Sequence, residues 1–65
     1  MIVCEIVKRP PNGSECGVIV GETSMRHRDA LHELAKFAPV DKFVKFGDRI
    51  VGYDGMLYSI EKQVY

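Results

Sequence analysis

The chain has 65 residues, of which 46% are hydrophobic and 28% are charged, and its nine Lys and Arg residues balance nine Asp and Glu residues. This length fits one domain over residues 1–65, and the composition argues against intrinsic disorder. The net charge is zero, whereas dedicated nucleic-acid binders typically have an excess of basic residues.

The first predicted element is a β-hairpin. Residues Ile2 to Lys8 are rich in Ile and Val, which favours a strand. The dipeptide Asn12-Gly13 favours the tight turns that join paired strands, and Gly17 to Val20 follows as the return strand.

The predicted register of that hairpin separates the two cysteines. With the turn at Asn12-Gly13, Cys4 lies opposite Gly21 and Cys16 lies opposite Arg9. The two thiols are then too far apart along the strands for a disulfide. We therefore expect two reduced thiols.

An amphipathic helix follows the hairpin. The Thr23 and Ser24 hydroxyls can accept hydrogen bonds from the first free amides of a helix. The helix is predicted to continue to about Phe37, with an apolar side centred on Leu31 that docks on a sheet. Pro39 ends it, because the residue before a proline avoids helical backbone angles.

The remaining residues predict two or three strands. Residues 43–46 form a short strand, and residues 49–53 and 56–61 flank Asp54-Gly55, a second two-residue turn signal. That register places Val51 opposite Tyr58 and Arg49 opposite Ile60. The predicted fold is a small α+β domain of order ββαββ or ββαβββ with an antiparallel sheet.

The first strand carries apolar residues on both faces. Ile2, Cys4 and Ile6 point to one side, whereas Val3 and Val7 point to the other with Glu5 between them. A single helix covers one face only. The residues Val3, Glu5 and Val7 therefore predict an interface, covered by a second copy or by a target protein; the alternative is closure into a curled half-barrel.

Basic residues gather along the predicted helix. Arg26 and Arg28 lie near its start, where an anion is favoured, and Arg28, His32 and Lys36 follow at intervals of four residues along one edge. These four residues are the candidate partner-binding or anion-binding set. The alternative is an ordinary solvated helix surface without a binding role, since exposed charges usually contribute little to stability.

Cysteines and histidines supply the residue types of a metal site or a catalytic site, but not the spacing. Cys4, Cys16, His27 and His32 lack the closely spaced ligand pairs of zinc sites. No nucleophile elbow or glycine-rich phosphate loop is present in the sequence. We therefore expect no metal, no cofactor and no enzymatic activity.

These observations predict a small non-enzymatic interaction module that binds and regulates or inhibits a macromolecule, with a protein partner favoured and a homodimer expected. Small stand-alone chains of this kind are common among phage and prophage anti-host factors, an analogy of size alone. The alternative is a dimeric nucleic-acid-binding transcriptional regulator. A signal peptide is not evident in the first residues, so we expect a cytoplasmic location without a membrane.

Overall fold

Four strands and one helix form the fold in the computed structural model, which describes residues 1–12 and 16–65. In chain order they are β1 (Ile2–Arg9), β2 (Val18–Thr23), α1 (His27–Leu34), β3 (Ile50–Val51) and β4 (Leu57–Val64). The strands form one open antiparallel sheet in the order β2-β1-β4-β3. The predicted α+β fold of order ββαββ is confirmed, and the sheet does not close into a barrel.

The middle of the sheet joins the two strands that are farthest apart in sequence. β1 pairs with β4 over its whole length, from Ile2 opposite Val64 to Arg9 opposite Leu57. Beyond that register, the Met1 amino group donates to the Tyr65 carbonyl at 2.7 Å, and the Tyr65 amide donates to the Met1 carbonyl at 2.8 Å. Because β2 pairs with the other edge of β1 and β3 with the other edge of β4, both strands are interior strands of the sheet.

The hydrophobic core lies between α1 and one face of this sheet. Burial of a single Leu or Ile side chain stabilises the fold by about 1.5–3 kcal/mol. The Phe37 ring stacks on Tyr58 with 5.3 Å between ring centroids. The buried core residues are Cys4, Ile6, Ala30, Leu34, Ala38, Tyr58 and Ile60.

The helix is shorter than predicted. It ends at Leu34, because the following amides bond three residues back, Lys36 to Glu33 at 3.2 Å and Phe37 to Leu34 at 2.9 Å. At its start, Arg26 rather than Thr23 or Ser24 occupies the N-cap position. The Ser24 hydroxyl instead accepts a hydrogen bond from the Arg26 amide at 3.3 Å and so stabilises the turn before the helix.

The predicted strand over residues 43–46 is wrong. The Asp41 carboxylate accepts a hydrogen bond from the Phe43 amide at 2.7 Å, and the Asp48 carboxylate accepts one from the Lys45 amide at 2.9 Å. Short acidic side chains compete in this way for backbone donors, which turns the segment instead of extending it.

The predicted register of the second hairpin is also wrong. Ile50, not Val51, lies opposite Tyr58. The Gly52 amide bonds to the Met56 carbonyl at 2.7 Å, so residues 53–55 form a three-residue loop. Gly55 supplies the positive φ of 84° that loops of this length require.

The register of the first hairpin differs for another reason. Cys4 lies opposite Thr23, two residues from the predicted Gly21. An irregularity between Ile6 and Val7 changes the pairing by one residue, so that Val7, opposite Ile19, is one residue from its predicted position. The predicted Asn12-Gly13 turn falls partly outside the described residues.

Candidate protein-binding face

The face of the sheet opposite α1 forms the candidate site, which we call the open face. Since Cys4 and Ile6 are in the core, strand alternation places Val3, Glu5, Val7 and Arg9 on the open face. Directly opposed residues share a face of a sheet. The cross-strand neighbours on the open face are Ile19, Glu22, Val51, Leu57, Ser59, Glu61 and Gln63.

A polar network occupies the centre of the open face. The Arg9 guanidinium forms an ion pair with the Glu61 carboxylate and donates to the Ser59 hydroxyl at 3.2 Å. The Ser59 hydroxyl in turn donates to Glu61 at 2.7 Å. The bond from Arg9, helped by that from Ser59, holds the pKa of Glu61 below its ordinary value against the opposing effect of burial.

Glu5 lies beside this network and is only 3% exposed. The Tyr65 hydroxyl donates to both of its carboxylate oxygens, at 3.1 and 3.2 Å. The hydrogen bond to Glu5 raises the pKa of Tyr65, and burial and the charges of Glu5 and Glu22 act in the same direction. Tyr65 thus satisfies the buried carboxylate with a neutral donor.

Three glutamates form a row across the open face. Glu5 on β1 lies opposite Glu22 on β2 and opposite Glu61 on β4. Like charges directly opposite each other destabilise a sheet. Arg9 compensates Glu61, but within residues 1–12 and 16–65 no Lys, Arg or His lies within 4 Å of the Glu5 or Glu22 carboxylate. The side of the face that borders β2 is therefore acidic.

The chain itself covers part of the predicted interface. Val7 is buried, and the Gly17 backbone lies so close that an added Cβ would stand 2.6 Å from its methyl group. Glu5 is buried below Tyr65, and Val3 is partly exposed. A partner approaching this face first meets the exposed residues Ile19, Glu22, Val51 and Tyr65.

The candidate basic residues do not form one site. Arg28 and His32 border a shallow groove of about 480 Å³, which Asp29 also lines. Lys36 lies beyond the end of α1, and its ammonium pairs with Glu33 at 3.0 Å. Arg26 precedes the helix. Acidic neighbours therefore offset the charge of this surface, and its role in anion binding stays a prediction.

The cysteines and His27 have separate surroundings. Cys4 is buried with its sulfur 3.2 Å from that of Met25, whereas Cys16 is exposed, and neither cysteine is in a disulfide, as expected. The His27 Nε2 lies 2.5 Å from the Val44 carbonyl oxygen. Within the described ranges, no group of three His, Cys, Asp or Glu residues is placed to hold a metal ion.

Most of the polar network was not predicted from the sequence. Ser59, Glu61 and Gln63 alternate with Ile60 and Lys62 along β4, which is a signal for a polar strand face. That signal does not say which strand lies alongside, because the pairing of β1 with β4 spans nearly the whole chain. The contacts of Arg9 and Tyr65 depend on that pairing.

Comparison of the chain with known protein families, curated proteins and solved structures found no match. Among the helical residues that the structure describes, none belong to a helix long and apolar enough to cross a membrane.

Proposed function

We propose that this protein is a small non-enzymatic interaction module that binds a protein partner through its open face and thereby regulates or inhibits that partner. The single observation behind the proposal is that α1 packs on one face of the sheet, while Ile19 and Val51 remain 51% and 60% exposed on the other. Apolar side chains exposed on a sheet face that no helix covers are features of protein interaction sites.

The charges of the open face favour protein over nucleic acid. One row on this face consists of Glu5, Glu22 and Glu61, and the guanidinium of Arg9 forms an ion pair with Glu61. Nucleic-acid binding depends on cations that neutralise phosphates, so an acidic face repels it. Within this proposal, a cytoplasmic setting, a homodimer and a phage or prophage role against host factors are further expectations, the last by analogy of size alone.

The test compares three forms of the protein: wild type, Ile19→Glu on the open face, and Phe43→Glu as an exposed control in the loop after α1. Each is immobilised and used to capture partners from extracts of the encoding organism, with its own oligomeric state measured by light scattering. We expect the wild type and Phe43→Glu to retain the same partner and Ile19→Glu to lose it.

Two results contradict the proposal. One is a monomeric protein that captures nothing. The other is equal capture by Ile19→Glu and wild type, which would place the contact elsewhere. Circular dichroism of each variant shows that loss of capture is not loss of folding.

A further inference from the structure

We infer that the partner binds along the outer edge of β2, where it adds an extended, basic segment as a fifth strand. This inference rests on the proposed function and specifies the chemistry of the partner. It combines the position of β2 in the sheet with the uncompensated charge of Glu5 and Glu22.

The position of β2 leaves one of its edges without a strand. In the order β2-β1-β4-β3, β2 has β1 on one side and, in the part of the chain that the structure describes, no strand on the other. Val18 and Ile19 on this strand are 63% and 51% exposed. An edge strand presents backbone donors and acceptors to which an extended peptide can add, while its side chains select the peptide.

The charge pattern selects a basic segment. Glu22 lies opposite Glu5 across the β1–β2 ladder, so a fifth strand would place one of its residues on the other side of Glu22. A Lys or Arg at that position would attract Glu22 directly and reduce its repulsion with Glu5. An acidic residue there would add a third like charge to the same row.

A second copy of this chain is a poor occupant of the edge. The sequence of β2, VIVGET, contains no basic residue. Pairing of two β2 strands would therefore bring two Glu22 side chains to the new ladder and no cation. The pairing irregularity near Val7 and the charge of Glu22 are features that discourage indiscriminate edge pairing, which leaves selection to a complementary partner.

The test uses the full chain and three ten-residue peptides with capped ends. All three alternate Thr and Val; the first carries Lys at two central Thr positions, the second carries Glu there, and the third is the Lys peptide with N-methylated backbone amides. Binding is followed by amide chemical shifts at low salt. We expect the Lys peptide to shift β2 resonances and to bind about fivefold more tightly than the Glu peptide.

The variant Glu22→Gln should abolish that preference, and Glu22→Lys should reverse it. The control variant Glu33→Gln removes one negative charge from α1 instead of β2, so the preference for the Lys peptide should remain. The N-methylated peptide should not bind, since it cannot form the strand hydrogen bonds.

Equal binding of Lys and Glu peptides, binding of the N-methylated peptide, absence of any binding, or shifts confined to α1 would each overturn the inference. So would concentration-dependent β2 shifts without peptide, which would assign the edge to a second copy. If the capture experiment meanwhile retains a partner that Ile19→Glu loses, the proposed function stands and only the fifth-strand inference fails.

Discussion

The Tyr65 hydroxyl donates to the Glu5 carboxylate across the open face, with oxygen–oxygen distances of 3.1 and 3.2 Å. Glu5 is almost fully buried between Glu22 and Glu61, and within the described residues it has no ion-pair partner. One phenol therefore supports a carboxylate that would otherwise be buried without a side-chain donor.

The variant Tyr65→Phe tests this support. Removal of the hydroxyl leaves the buried Glu5 carboxylate without its donor, so the free energy of unfolding in urea titrations should fall. Tyr53→Phe is the matched control, because Tyr53 is equally exposed at 72%. Equal stability of both variants would contradict a role for the Tyr65–Glu5 bond.

The same bond predicts a dependence on alkaline pH. The pKa of Tyr65 is raised above the ordinary value of 10.0 because its neutral form donates to Glu5. The stabilisation is therefore complete below pH 10 and is lost as the pH rises through the raised pKa. Ultraviolet titration of wild type and Tyr65→Phe should show that one tyrosine that ionises above pH 10 in the wild type is absent from the variant.

Acid should weaken the polar network. The pKa of Glu61 is held below its ordinary value of 4.5, chiefly by the bond from Arg9. Such a group stabilises the fold above its unfolded pKa, and that stabilisation is lost as the pH falls through the folded pKa. Urea titrations between neutral pH and about pH 3 should show a smaller loss of stability for Glu61→Gln than for wild type. Glu33→Gln is the control, and an identical acid response of Glu61→Gln and wild type would contradict the prediction.

Gly52 should not tolerate a side chain. An added Cβ would overlap the Tyr58 ring and would lie 2.9 Å from the Phe37 carbonyl oxygen. Gly52→Ala should therefore cost about 1–3 kcal/mol through overpacking, as measured by thermal unfolding. Gly21→Ala is the control, since its Cβ would make an ordinary contact at 3.7 Å with Ile6. A Gly52→Ala variant as stable as the control would show that this close approach is not required.

The two thiols should differ in reactivity. Cys16 is exposed and should react at once with a thiol reagent such as dithionitrobenzoate, whereas Cys4 is buried and should react only after unfolding. Cys16→Ser should leave stability within about 0.5 kcal/mol. Rapid labelling of both thiols in the folded protein would contradict the burial of Cys4.

The basic residues give a separate test for nucleic acid. If Arg26 and Arg28 contact phosphates, binding of duplex and single-stranded oligonucleotides should weaken with salt and should be lost in an Arg26→Ala, Arg28→Ala double variant. Since Asp29 lies beside Arg28 and the chain has no net charge, we expect a flat fluorescence titration at low salt for the wild type and for the double variant. Salt-dependent binding that the double variant abolishes would instead support the regulator alternative.

Local patterns predicted the helix and four strands of this fold, together with a strand over residues 43–46 that does not form, but not the lateral arrangement of the strands. The spacing around Leu31 was sufficient for a helix, and Asp54-Gly55 marked a real hairpin. The register of the second hairpin failed because a three-residue loop shifts its ladder by one residue. The register of the first hairpin is off by one residue at Val7 and, past a pairing irregularity, by two at Cys4. The polar network escaped prediction because Arg9 meets Ser59 and Glu61 only once distant strands pair.

The pairing of β1 with β4 also determines how the chain must fold. Each hairpin closes a short loop, whereas the central ladder requires the meeting of segments about fifty or more residues apart. Contacts between distant segments slow folding. The two hairpins therefore join into one sheet only after β1 and β4 have paired. Because Met1 and Tyr65 are hydrogen-bonded neighbours, a short peptide link between them and new ends within residues 53–55 would turn this encounter into a local one, and such a circular permutant should fold faster than the natural order.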